Sequence, residues 1–133
     1  MESQVLDSLF ETYQKEIAED IKVDELSLKD KTMLVPTIKH KWVGRLMMHK
    51  VQLKKLNDIK KKEIKRLTNN SPIPLSKSTL DQAINGDESI IKIQNSIERL
   101  EVIIEYLEKV EKLTSSLTWD CKNLIDLQKL ETT

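Results

Sequence analysis

Apolar residues step along this chain by threes and fours, the spacing of helical faces. Val5, Leu6, Leu9, Tyr13, Ile17 and Ile21 predict an amphipathic helix in the first thirty residues. With so few large apolar side chains that helix is marginal alone and needs a surface to dock on. Residues 24–35 read as transitional, and Pro36, with its fixed φ, suits the first turn of a second helix over 36–67. On that helix Trp42, Leu46, Leu53, Leu56, Ile64 and Leu67 share one side. Lys60 falls on the same side, a local conflict.

The run Asn69-Asn70-Ser71-Pro72-Ile73-Pro74 predicts a break, followed by a short helical piece over Lys77–Ile84. Gly86 reads as a stop, and Asp87 as the N-cap of a last helix, where Glu88 also suits the helix dipole. In that helix Ile90, Ile93, Ile97, Leu100, Ile104 and Leu107 form a coiled-coil seam. Val110, Leu113, Leu117, Cys121, Leu124 and Leu127 continue it after a step of three instead of four, a stammer. Ile91, Val102 and Ile103 widen the stripe beyond the needs of a two-stranded zipper, which suits a bundle or ring of several helices. The expected fold is therefore all-α and a single helical domain: an acidic N-terminal arm over 1–30, a basic helix over 36–67, a linker with a short helix over 69–86, and an oligomerisation helix over 87–131. Ile90, Ile93, Ile97, Leu100, Ile104, Leu107, Leu113 and Leu117 are the expected oligomer contacts, and charge placed in the seam, as in Leu100→Glu, is expected to break the assembly.

At 133 residues with 38% apolar content the core is thin for one domain, and partner chains could complete it. The aromatic fraction is 4%, with two Gly and three Pro, which suits long helices over sheets with their turn residues. Cys121, the single cysteine, cannot form an internal disulfide, no apolar signal core opens the chain, and no apolar run approaches the ~20 residues that span a bilayer. The expectation is a soluble cytoplasmic protein.

Charge changes the picture more than composition does. Between Lys39 and Arg66 lie eleven basic residues against Asp58 and Glu63, a local balance of +9 in a chain of net charge zero. Residues 1–30 carry nine acidic residues against three lysines, a balance of −6. Segregation of this kind directs a field at an anionic partner. The plainer reading is a solvated bundle face offset by the acidic arm. Against it stands the self-repulsion of the block, which phosphate contacts with counterion release would convert into salt-dependent, sequence-indifferent affinity. Candidate DNA contacts are Lys41, Arg45, Lys50, Lys54, Lys55, Lys60, Lys61, Lys62, Lys65 and Arg66. Trp42 reads as core before it reads as a base-stacking platform.

Catalytic chemistry has no signature. There is no Gly-rich phosphate loop, no metal-spaced Cys/His set and no nucleophile motif. His40 and His49, nine apart, read as solvated histidines; Glu101, Glu105 and Glu108 as a solvated face; Cys121 as a small buried hydrophobe. No cofactor, metal or enzymatic activity is expected.

Several short motifs, in order, resemble the UvsY family of phage recombination mediators. They are Asp20-Ile21-Lys22-Val23-Asp24 with Leu28, Pro36-Thr37-Ile38-Lys39-His40-Lys41-Trp42, Gln52-Leu53-Lys54-Lys55-Leu56, Ile64-Lys65-Arg66-Leu67, Gly86-Asp87-Glu88-Ser89-Ile90-Ile91-Lys92-Ile93 and Lys122 to Glu131. The resemblance implies a non-enzymatic, ring-like homo-oligomer, a hexamer or heptamer. It implies binding to single-stranded DNA, and help for a RecA-like (UvsX-type) recombinase in displacing single-strand-binding protein. It places Lys65 and Arg66 in the family's DNA-binding motif, with Lys60, Lys61 and Lys62 one turn before. Where relatives carry Ser-Arg-Gly-aromatic, this chain has Ser115-Ser116-Leu117-Thr118-Trp119. The other functional class left open is an adaptor coiled coil whose basic helix meets an acidic protein.

Overall fold

A computed structural model describes residues 2–71 and 76–132. Its described residues form four α-helices and one short 3-10 turn, with no strand: α1 (Ser3–Asp20), the turn Glu25–Ser27, α2 (Leu28–Asn69), α3 (Lys77–Asn85) and α4 (Glu88–Thr132). At 42 and 45 residues, α2 and α4 are each more than about 60 Å long at 1.5 Å per residue. They run antiparallel, since Glu63 meets Ser89, Lys60 meets Gln94 and Lys50 meets Glu108. Along the central part of this pair α1 supplies the third helix, so the all-α expectation holds.

The second helix begins earlier than its proline suggests. Pro36 lies well inside α2, although a proline there removes one backbone hydrogen bond. Tertiary packing outweighs that cost: Leu28 and Val35 are buried against Leu117 and Cys121, with Val23, Leu124 and Ile125 around them. The stretch 24–35, expected to be transitional, is therefore the 3-10 turn and the first two turns of α2. Asp24 caps the 3-10 turn by accepting from the Leu26 N–H at 3.0 Å, and Lys31 Nζ donates to the last carbonyls of α1, Asp20 at 3.0 Å and Glu19 at 3.4 Å.

The other boundaries lie close to expectation. α2 ends at Asn69, in the breaker run, whose Pro72, Ile73 and Pro74 lie outside the described residues. Asp87 caps α4, its carboxylate accepting from the Ser89 hydroxyl at 2.5 Å and the Ser89 N–H at 2.9 Å, and these bonds hold its carboxyl below the usual range.

The main core joins Leu6, Tyr13 and Ile17 of α1, Ile38, Trp42 and Leu46 of α2, and Leu100, Ile103, Ile104, Leu107 and Val110 of α4. Trp42 is fully buried, its indole N–H donating to Asp20 Oδ2 at 2.8 Å, so the core reading of this residue stands. Cys121 is buried too. Six expected oligomer contacts, Ile90, Ile97, Leu100, Ile104, Leu107 and Leu117, are buried within this one chain, whereas Leu113 is 46% exposed.

His49 corrects an expectation. It is 1% exposed, not solvated, with Nε2 2.8 Å from the Tyr13 hydroxyl and Nδ1 2.7 Å from Gln52 Oε1. With Nδ1–H donating to the amide oxygen, Nε2 accepts from tyrosine. Burial raises the Tyr13 pKa and keeps that donor neutral.

Candidate nucleic-acid interface

The ten cationic residues singled out in the sequence divide into two groups. Lys41 and Arg45, on the first half of α2, are held by α1: Lys41 Nζ is 2.6 Å from Asp20 and 3.3 Å from Glu16, and Arg45 forks onto both oxygens of Glu16. The Arg45 guanidinium also lies over the rings of Trp42 and Tyr13, at 4.8 and 5.1 Å. Hydrogen bonding from Arg45 pulls the Glu16 carboxyl below its usual range. A carboxyl lowered by folding stabilises the fold above its unfolded pKa, and that contribution is lost as pH falls through the lower folded value. The stability gap between wild type and Glu16→Gln is therefore expected to be open at pH 7 and to close in acid, as thermal melts at a series of pH values would show.

On the second half of α2 the cations are largely unmatched. Arg66 pairs with Glu63 at 2.5 Å, Lys60 turns inward to donate to Gln94 Oε1 at 2.7 Å, and Lys50 lies 3.7 Å from Glu108. The bond to Gln94 resolves the conflict of a lysine on the apolar side. Lys54, Lys55, Lys61, Lys62 and Lys65 are exposed, and no ion pair among the described residues engages them. They span about 16 Å of helix axis at 1.5 Å per residue and sit within one broad outward face. The first residues of α1 lie beside Leu56 and Ile59, so α1 does not run alongside Lys61, Lys62 and Lys65.

Among the described residues no group of three or more His, Cys, Asp or Glu could hold a metal ion, and no helix is long and apolar enough to cross a membrane. Trp119 is the second indole, 63% exposed on α4, with Lys122 Nζ 5.0 Å from its ring centroid. Sequence reasoning overlooked the residues of α2 that precede the lysines on the same outward face, namely Met33, Val43, Met47, Met48 and Val51, all exposed. The four-residue steps Val43, Met47, Val51 were the available signal.

The family model described as "Recombination, repair and ssDNA binding protein UvsY" matches residues 16–133. The chain belongs to the UvsY family. Membership places it among recombination and repair proteins and agrees with the resemblance carried by its motifs. Crystal structures of the bacteriophage T4 recombination mediator protein UvsY share the fold at 16% identity: one lattice form has a TM-score of 0.82 and covers 92% of this chain and 98% of its own, and another has 0.80 with 92% and 97%. A third superposes with a TM-score of 0.78 over 89% of this chain and 97% of its own. A search of curated proteins gives no match. At this identity the likeness speaks for the fold, and the UvsY family model for the kinship.

Proposed function

We propose that this chain is a recombination mediator that binds single-stranded DNA along the outer face of α2 and promotes loading of a RecA-like recombinase onto DNA covered by single-strand-binding protein. The observation that carries this reading is the set of five exposed lysines, Lys54, Lys55, Lys61, Lys62 and Lys65, which no carboxylate of the described chain pairs. Phosphates supply the missing charge, and contact through the backbone leaves base identity unread. The field at this face is the same whichever bases the strand carries. Lys50 and Arg66 lie at its two ends with their acids close by and can exchange partners; Lys41, Arg45 and Lys60 are retained by the fold.

Mediation also calls for several such faces on one strand, because linked weak sites raise effective concentration without a single tight clamp. With most of the seam consumed inside the chain, assembly falls to the outer flank of α4, where Ile91, Val102 and Leu113 are exposed at steps of eleven residues and so stay on one face. Leu113 is an expected oligomer contact that stays exposed, and Ile93 is only partly buried.

The test is mass in solution by light scattering, with and without oligo-dT, together with binding at rising salt. Expected are a homo-oligomer, saturable binding, and affinity that falls steeply as salt rises. A monomer with no saturable affinity would return the chain to the adaptor class.

A further inference from the structure

Beside the lysines, the first half of the same α2 face carries an exposed apolar patch. Met33 is 71% exposed, Met47 54% and Val51 52%, with Val43 and Met48 beside them. These side chains belong to neither core cluster, and they run directly into Lys54 and Lys55 on the same side of the helix. Methionine adapts its shape to a partner and recurs on surfaces that bind flexible segments.

Gly44 supplies an independent observation. It sits in the interior of α2, where glycine is a poor helix former, and a Cβ added there would meet no atom within 4 Å. Packing inside this chain therefore does not require it. Its neighbours on the helix surface, three and four residues away, are His40, Lys41, Met47 and Met48. The missing side chain lets another backbone come close at the edge of the apolar patch.

We infer that this half of α2 is a docking site for an acidic protein segment with apolar anchors. Its apolar side chains seat on Met47, Met48 and Val51 beside Gly44, and its carboxylates reach Lys54 and Lys55. Charge selects the occupant, because an apolar patch continuous with unpaired lysines favours an apolar segment that is also acidic. The inference rests on the reading that DNA lies along the same lysines, and it deepens that reading. Protein and DNA then overlap at Lys54 and Lys55, so arrival of the segment loosens the strand, as an exchange of partners on DNA requires.

The probe is a fluorescein-labelled synthetic peptide with Leu at i, i+3, i+4 and i+7 and Glu elsewhere, compared with the same peptide carrying Ser for Leu. The full chain is expected to bind the Leu peptide and not the Ser peptide, and the Leu peptide is expected to compete with oligo-dT. Gly44→Leu puts a better helix former on an open surface, so its melting temperature is expected to equal or exceed wild type. It is expected to bind the peptide about tenfold more weakly, a loss of about 1.4 kcal/mol, with oligo-dT affinity unchanged. Equal binding of the peptide by Gly44→Leu, or equal binding of the Ser peptide, would overturn the docking site. So would a fall in solution mass for Gly44→Leu, which would give the face to a neighbouring copy. Failure of the DNA reading shows separately, as wild-type protein that binds the peptide but not oligo-dT.

Discussion

Replacing Lys54, Lys55, Lys61, Lys62 and Lys65 together by Ala is expected to reduce affinity for oligo-dT on the order of a hundredfold at low salt and to flatten its salt dependence. Each phosphate contact on a single strand contributes about 0.7 to the slope of log affinity against log salt, so removing five lowers the slope by up to about 3.5. The substitutions leave the fold alone, because all five side chains are exposed and Ala is the best helix former. The informative control is Lys41→Ala with Arg45→Ala. These residues are as basic as the others but are bound to Glu16 and Asp20, so their loss should lower the melting temperature and leave the slope nearly untouched. A five-lysine variant that keeps the wild-type slope would place the DNA elsewhere.

Leu100→Glu is expected to unfold the chain, not simply to dissociate an assembly. Leu100 is fully buried between the helices of its own chain. Truncating such a leucine costs about 2–5 kcal/mol, and a buried carboxylate without a partner costs several more. Together these approach the roughly 5–15 kcal/mol by which ordinary domains are stable. Leu113→Glu is the contrasting variant: on a half-exposed position it should melt like wild type and sediment or scatter as a smaller particle. Circular dichroism and light scattering on the two proteins separate the outcomes. A Leu100→Glu protein that melts normally but is monomeric would show that the seam joins different chains.

Much of the architecture was legible because helical periodicity and caps are local signals. Gly86-Asp87-Glu88 marked the start of α4 from three residues, and the seam named many of the α4 side chains that fill the core. What periodicity does not state is who the partner is. The seam looked like a surface between copies, yet α1 and α2 supply enough apolar side chains to bury Leu100, Ile104 and Leu107 internally. Pro36 misplaced the start of α2 because a local rule met a tertiary contact, the burial of Leu28 and Val35, that outweighs it.

The site was half legible. Net charge identified the basic helix but could not separate lysines neutralised across space from those left open. Glu16 lies 25 residues before Lys41, and only folding brings them to 3.3 Å. His49 was misjudged for the same reason: the tyrosine that makes its burial tolerable is 36 residues away. The inward turn of Lys60 has its explanation on α4, at Gln94.

The two indoles sit in opposite surroundings, Trp42 sealed in the core and Trp119 open to water beside Lys122. The protein thus carries a pair of native optical reporters, one emitting toward the blue from a site closed to water and one toward the red. Quenchers such as iodide reach the second and spare the first, so loss of packing and events at the far end of α4 can be followed in separate channels without attaching a dye.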